Sequence, residues 1–362
     1  MLGGRLVAAL RRHLPALRLA GIGGPRLREA GLQPLFPMHE LAVMGLAEIL
    51  PRLRRLSRLL DLAVADVRAK RPDIVITIDS PGFALRLLRR IEGAGIPRVH
   101  YVAPQVWAWR EHRVRRFPGL WERLLCLLPF EPAFFARHGL EARFVGHPVL
   151  ESGADGGDAA RFRARHGLAA DAPVAVLMPG SRRNEAPRLL PVFGQTLRHL
   201  PGVVPVVPTA EAVAETVRRA AAGWQVAPIL VTDLAEKHDA YAAAGAALTK
   251  SGTSTLELAL AGVPMAVTYR VNPITAMLAR RLIRVPHVAM LNLLAGREIV
   301  PELLQEQCRP DRLAGVLRDL LAPGSPQAAA QRVAFAPVME SLRPPSGTAS
   351  EAAAAEVLSL LS

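Results

Sequence analysis

Residues 246–261 read AALTKSGTSTLELALA. The apolar run Ala246 to Leu248 has the character of a buried strand, and Leu258 to Ala261 resumes an apolar pattern at helical spacing. Between them a Ser/Gly/Thr turn leads from strand into helix. Such a junction leaves backbone N–H groups of Ser251, Gly252, Thr253, Ser254 and Thr255 at the positive end of a helix, the physical recipe for a phosphate cradle. Glu257, about a turn further in, is placed to accept hydrogen bonds from ribose hydroxyls beside bound phosphates. The competing reading is an ordinary Ser/Thr-capped helix with Glu257 as its capping-box partner.

The same junction recurs upstream, where 174–185 reads VAVLMPGSRRNE. Gly180 lets the backbone approach a ligand, Ser181 follows it, and the planar fork of Arg182 suits a diphosphate better than a lysine would. A solvated helix start is the plainer alternative. Both turns lie in one half of the chain, so together they point to a nucleotide diphosphate bound mainly there.

Around these turns, short apolar runs alternate with longer helical patterns, the form of an α/β protein with parallel sheets. Strands are expected at 17–22, 74–78, 99–102, 124–128 and 143–145, then at 174–178, 203–207, 229–231, 246–249 and 265–269. Helical patterns cover 41–69 and 83–93, and Leu6, Val7, Leu10 and Leu14 mark an amphipathic N-terminal helix. At 362 residues, with roughly 150 per domain, two domains are expected. The polar, Gly-rich ESGADGGD at 151–158 divides domains 1–150 and 151–325, and 326–362 forms a helical tail closing with a helix over 352–361. Two doubly wound halves present the carboxyl ends of their strands to a central cleft. Because the chain opens in a loop and a helix, the first strand of the N-terminal domain is expected to be missing.

In the first half, IVITIDSPGF at 74–83 ends a strand in Asp79. A carboxylate at a strand's carboxyl end is where a general base is needed, though Asp capping the next helix is the simpler reading. The following strand runs into HYVAPQVWAWR at 100–110, where Gln105, Trp107 and Trp109 form either the wall of a binding loop or the edge of a core.

Composition narrows the chemistry. With 45 Lys and Arg against 31 Asp and Glu, the net charge of +14 draws the protein to polyanions: nucleic acid, anionic headgroups or phosphorylated substrates. Basic apolar segments at 50–58, 110–123 and 279–284 are candidate surfaces for anionic lipid. Nucleic acid is disfavoured, since no interleaving of aromatic and basic residues matches a known binding module. The two cysteines, Cys126 and Cys308, exclude a disulfide scaffold and suit a reducing cytoplasm. No Asp-x-Asp, H-E-x-x-H or paired histidine at ligand spacing occurs, so no metal is expected. The glycines at 21, 23 and 24 lack the third glycine of a dinucleotide fingerprint and no P-loop is present. Glu131 and Glu257 interrupt the longest apolar runs, which removes a transmembrane span.

Many ordered segments, among them GIGGPRLREAG at 21–31, ELAVMGLAEILPRLRRL at 40–56, IDSPGF at 78–83, LLPFEPAFF at 127–135, FVGHPV at 144–149, MPGSRRNE at 178–185, KSGTSTLELALAGVPMAVTYR at 250–270 and NLLAGREIVPELLQE at 292–306, closely resemble the lipid A disaccharide synthase family. The resemblance implies the GT-B glycosyltransferase fold of two Rossmann-like domains, the N-terminal one binding acceptor and the C-terminal one UDP-sugar. It implies an inverting transfer, without a cofactor, from UDP-2,3-diacylglucosamine to 2,3-diacylglucosamine 1-phosphate. Asp79 would be the general base, Arg182 and the 251–255 amides would meet the UDP charge, Asn292 would contact the nucleotide and Glu257 the ribose. Met44, with Leu41, Val43 and Leu46, and the neighbouring Gln105 and Trp107 would form an acceptor or acyl-chain surface. The family begins with a strand and an acidic turn that this sequence lacks. The implied setting is the cytoplasmic side of an anionic inner membrane, and a homodimer is compatible with it. Another UDP-sugar enzyme, a peptidoglycan glycosyltransferase or non-hydrolysing epimerase, is the alternative of the same architecture.

Overall fold

The computed structural model describes residues 1–41, 53–182, 185–272, 276–277 and 285–361. The chain forms two compact units, Met1–Pro148 with Leu342–Ser362, and Val149–Ser341. Unit 1 carries four parallel strands in the order β1 (Val75–Ile78), β2 (Arg98–Tyr101), β3 (Arg123–Cys126) and β4 (Ala142–Phe144). Unit 2 carries six, β5 (Val174–Met178), β6 (Val204–Pro208), β7 (Ile229–Val231), β8 (Ala246–Lys250), β9 (Met265–Tyr269) and β10 (Glu302–Leu304). Its sheet order is β10-β9-β8-β5-β6-β7, again all parallel.

The apolar runs become central strands because helices cover both faces of a parallel sheet. Accordingly β5 and β8 are buried at every residue but the last. The strand at β10 was not anticipated: with a single fully buried residue it has no apolar run, and pairing with the edge of β9 defines it. The strand expected over 17–22 reduces to one parallel bridge between Gly21 and Pro34. Gly21 has φ +121, outside the β region, and Pro34 has no N–H to extend a ladder. Its apolar side chains are kept all the same, Leu17 and Ile22 packing against the unit 1 cores.

Helix Leu2–His13 buries Leu6, Val7 and Leu10, as its spacing predicts, with Ala9 beside them, while Leu14 is its half-buried C-cap. Its partner is helix Ala349–Leu358, which contributes Ala353, Ala354 and Val357 to the same core and starts with a capping box of Thr348 and Glu351. Helix Pro326–Ser341 belongs instead to unit 2. There the buried Gln331 accepts from Met265 N at 2.7 Å and donates to Met265 O at 3.0 Å. Residues 326–361 are therefore shared between the two units. Of the helical pattern over 41–69, the structure describes Leu53–Lys70, and 42–52 lie outside the described residues.

The Gly-rich stretch 151–158 is docked rather than loose. Asp158 caps helix Ala159–Arg165, Asp158 N donates to Asp239, and Arg161 forks onto the same carboxylate at 2.5 and 2.6 Å. Gly157 lies so close to helix Leu234–Ala243 that a Cβ there would overlap the carbonyl of His238. Gly157→Ala should therefore lower the stability of unit 2 by roughly 1–3 kcal/mol, as overpacking does; a urea midpoint equal to wild type would show that the contact gives way freely.

Candidate active site

Strand order in unit 2 reverses between β5 and β8: β6 and β7 lie on one side, β9 and β10 on the other. At such a reversal the connecting segments leave in opposite directions, and a crevice opens beyond the carboxyl ends. Both sequence-predicted turns sit there, the described 179–182 after β5 and 251–252 after β8. Gly252 is the N-cap of helix Thr253–Leu260 and has φ +150, a conformation open to glycine alone. No side chain caps this helix. The capping-box reading of Glu257 is thereby removed, and the amides of Thr253 and Ser254 have no acceptor among the described residues. Thr253 is itself exposed.

The neighbouring groups divide into those available to a ligand and those already spent. Thr255 is fully buried, with both its N–H and its hydroxyl on the Gly252 carbonyl, at 3.1 and 2.7 Å. Its predicted ligand contact is corrected accordingly: it shapes the turn. Ser254 Oγ is held by Thr249 Oγ1 at 3.1 Å, and Ser251 Oγ donates to Val288 O at 2.6 Å. Asn292 is likewise corrected. It is fully buried, donates to Val300 O and Glu302, and accepts from Ile299 N and Val300 N. Its hydrogen-bonding capacity is used up inside the protein. Glu302 in turn accepts from the backbone N–H groups of Val288 and Ala289, which pins the segment whose carbonyl receives Ser251. Asn292 thus acts on the turn at one remove.

Gly180, Ser181 and Arg182 form the facing turn. Arg182 is about half exposed and donates through Nη1 to Glu185 Oε1 at 2.9 Å, so it is tethered rather than a freely solvated helix start. Glu257 accepts from Lys237 Nζ at 2.9 Å and from Tyr241 OH at 3.3 Å. Burial first, and then Glu257, push the Tyr241 hydroxyl well above its ordinary range. Lys237 and Lys250 were not predicted as site residues; Lys250 stands within the quoted KSGTST, and only its ion pair with Glu185 singles it out.

In unit 1, Asp79 and Ser80 follow β1 with φ of +53 and +50. Two successive non-glycine residues in the left-handed region store on the order of 1–2 kcal/mol each. Ser80 is the N-cap of helix Pro81–Arg90, yet no side chain caps it. The helix-cap reading of Asp79 therefore falls: its exposed carboxylate is turned out at the strand exit, while its N–H is fixed on Tyr101 O at 2.8 Å.

Beside this exit, the alternatives for the 100–110 segment separate. Trp107 is half-buried, donates Nε1–H to Glu131 at 3.1 Å and packs edge-on against Phe130. Trp109 is 42% exposed, with the Arg110 guanidinium 3.8 Å over its ring. Gln105 is exposed. Met44 lies outside the described residues. Glu131, within the quoted LLPFEPAFF, reads in the sequence only as an interruption of an apolar run. Only 2% exposed, it also accepts from Leu127 N and Leu128 N. Burial raises its pKa to about 7 against the opposing pull of these three donors. His100 is buried, hydrogen-bonded to Thr77 at 2.8 Å and stacked on Trp121, and burial lowers its pKa to about 4.

Among the described residues no group of acidic, histidine or cysteine side chains could hold a metal ion, and no helix is long and apolar enough to cross a membrane. Comparison with known proteins gives a match to the family described as Lipid-A-disaccharide synthetase over residues 1–357. A lipid-A-disaccharide synthase of Granulibacter bethesdensis is 64% identical, the alignment covering 100% of this chain and 95% of that one. One of Pseudomonas aeruginosa is 42% identical over 90% of this chain and 88% of its own. Among solved structures, CalG4, the calicheamicin glycosyltransferase, aligns with a TM-score of 0.61 at 18% identity over 99% of this chain and 93% of its own. The S. aureus MnaA–UDP co-structure aligns at 0.62 and 13% identity over 98% and 90%. These likenesses show the fold, that of GT-B enzymes with two Rossmann-like domains.

Glu131 supplies a pH test. Its folded pKa of about 7 stands above the ordinary 4.5, so its contribution to stability is complete below pH 4.5 and is lost as pH rises to about 7. Glu131→Gln should remove that decline. Urea unfolding of wild type and variant between pH 5 and 8 reads the difference, and parallel profiles would exclude Glu131 as its source.

Proposed function

The chain belongs to the lipid-A-disaccharide synthetase family, and from that premise we propose how its residues carry out the reaction. The protein is a glycosyltransferase of lipid A biosynthesis. Its donor is UDP-2,3-diacylglucosamine and its acceptor 2,3-diacylglucosamine 1-phosphate, joined with inversion into a β-1,6 disaccharide 1-phosphate and UDP. The observation that carries this reading is the uncapped start of helix Thr253–Leu260 at the strand reversal, facing the turn that presents Arg182.

Unit 2 binds the donor. The N–H groups of Thr253 and Ser254 and the guanidinium of Arg182 receive the diphosphate, with Gly180 and Ser181 giving close backbone approach and Glu257 on the ribose. As the glycosidic C–O bond breaks, negative charge grows on the leaving UDP, and fixed N–H dipoles and a guanidinium stabilise it without reorganising. Unit 1 supplies Asp79. Its carboxylate takes the proton from the acceptor 6-hydroxyl as that oxygen attacks the anomeric carbon from the face opposite UDP. The left-handed backbone at 79–80 supports this role, since strain is retained where the chain holds a functional group in place.

Both substrates are phosphorylated amphiphiles, and a basic surface with an exposed aromatic fits a membrane that contains them. Trp109, Arg110, Arg113, Arg115 and Arg116 of unit 1 offer one. Arg113 is held below its usual pKa by desolvation and by the neighbouring charges of Arg110 and Arg116, a cationic crowding that anionic headgroups would relieve. The basic segment 279–284 and residues 42–52 lie outside the described residues.

Asp79→Asn tests the mechanism. The variant should bind UDP as wild type does and lose about 10²–10⁴-fold in turnover, measured as disaccharide formed from labelled donor and acceptor. Wild-type turnover would remove Asp79 as the base, and consumption of donor without acceptor would point instead to an epimerase.

A further inference from the structure

We infer that Lys250 is the second cation of the donor's diphosphate seat, and that Glu185 is a positioning residue that gathers Lys250 and Arg182 before the nucleotide arrives; this rests on unit 2 binding UDP as proposed above. Glu185 Oε1 accepts from Arg182 Nη1 at 2.9 Å and from Lys250 Nζ at 3.0 Å. Two cations from the two strand ends that flank the reversal therefore meet on one oxygen, and their nitrogens lie within about 6 Å of each other. One carboxylate against two cations leaves one positive charge uncompensated in the cluster.

Depth orders the three groups. The side chain of Glu185 is 12% exposed, that of Lys250 17% and that of Arg182 48%. The acid and the lysine are largely buried, and the arginine is half exposed. Arg182 has spent one of its five N–H donors on it and Lys250 one of three. The remaining donors are what a diphosphate, with non-bridging oxygens on two adjacent phosphorus atoms, would engage. Lys250 is restrained on its other side by the ring of Tyr269, 5.8 Å from the ammonium. Gly180 closes the cluster from above: a Cβ there would stand 3.0 Å from Glu185 Oε2 and 3.4 Å from Lys250 Cδ. A side chain there would crowd the acid's Oε2 by a few tenths of an ångström and would be strained by the φ of +103.

A structural ion pair would fasten the end of β8 to Glu185 and treat all uridine nucleotides alike. A diphosphate seat must instead distinguish two phosphates from one. The test is calorimetric titration of UDP and UMP into the full chain, for wild type, Lys250→Gln, Lys250→Arg and Glu185→Gln, with thermal unfolding of each. Lys250→Gln should weaken UDP by about 10- to 100-fold, the range of one charge-assisted hydrogen bond, and UMP by less than about 3-fold. Lys250→Arg should keep the preference for UDP. Glu185→Gln should weaken UDP by about 3- to 10-fold through loss of preorganisation. An unchanged UDP-to-UMP ratio in Lys250→Gln, or a ratio lost equally in Lys250→Arg, overturns the role of Lys250. Tighter UDP binding by Glu185→Gln makes the acid a competitor and overturns its positioning role. Absence of UDP binding by the folded wild type would instead sink the reading of unit 2 on which the inference rests.

Discussion

The reversal of strand order between β5 and β8 is the constraint on which the unit 2 site depends. In a parallel sheet every strand must be followed by a crossover, and crossovers on one side of a sheet cover the carboxyl ends of the strands they leave. Where the direction of winding changes, the two segments part. Only there do a strand end and a helix start remain open to a ligand. The sequence uses that opening twice, with Gly180 after β5 and Gly252 after β8, both at positive φ. The cations follow from the same geometry, because Arg182 and Lys250 reach one carboxylate only if β5 and β8 are neighbours.

Around that opening, polar groups are sorted by depth. Thr255, Asn292 and Glu302 lie inside, with their bonds made within the unit: Thr255 holds the Gly252 carbonyl, and Asn292 and Glu302 hold Ser251 through Val288. A buried polar network is useful only when its members are satisfied, because an unpaired member costs more than its bond returns. These residues therefore stiffen the site rather than touch a ligand. The groups left over, the Thr253 and Ser254 amides and the outward donors of Arg182 and Lys250, are those that can bind an anion.

Unit 1 presents its candidate carboxylate, Asp79, differently. Its carboxylate stands at a strand exit in strained backbone, with no helix-capping bond to occupy it. Nearby, desolvation sets the charge states: burial drives Glu131 towards its protonated form, and it keeps His100 neutral. Glu131 holds Trp107 through its indole N–H, while Trp109 two residues on is left exposed with Arg110 across its face. One aromatic anchors the loop and the other meets solvent.

Apolar runs and their punctuation determined most of the strands, because a strand buried on both faces writes its own composition: 174–178 and 265–269 are legible to the residue, and so is the half-buried edge strand 229–231. The two glycine turns were legible as strand-to-helix junctions too, since Gly, Ser and Thr punctuate the passage from an apolar run to a helical pattern. Pairing decided the rest. The segment 17–22 is apolar but finds only the bridge at Gly21, whereas Glu302–Leu304 has little strand character and becomes one against β9. Single residues followed the same division. Asn292, which the resemblance implies as a nucleotide contact, proves to be a saturated strut, and Glu185 and Lys250, 65 residues apart, share a bond that no local pattern records. A sequence fixes propensities over a few residues, but a hydrogen bond or an ion pair between distant positions exists only once strand neighbours are chosen, and that choice is made by the whole fold.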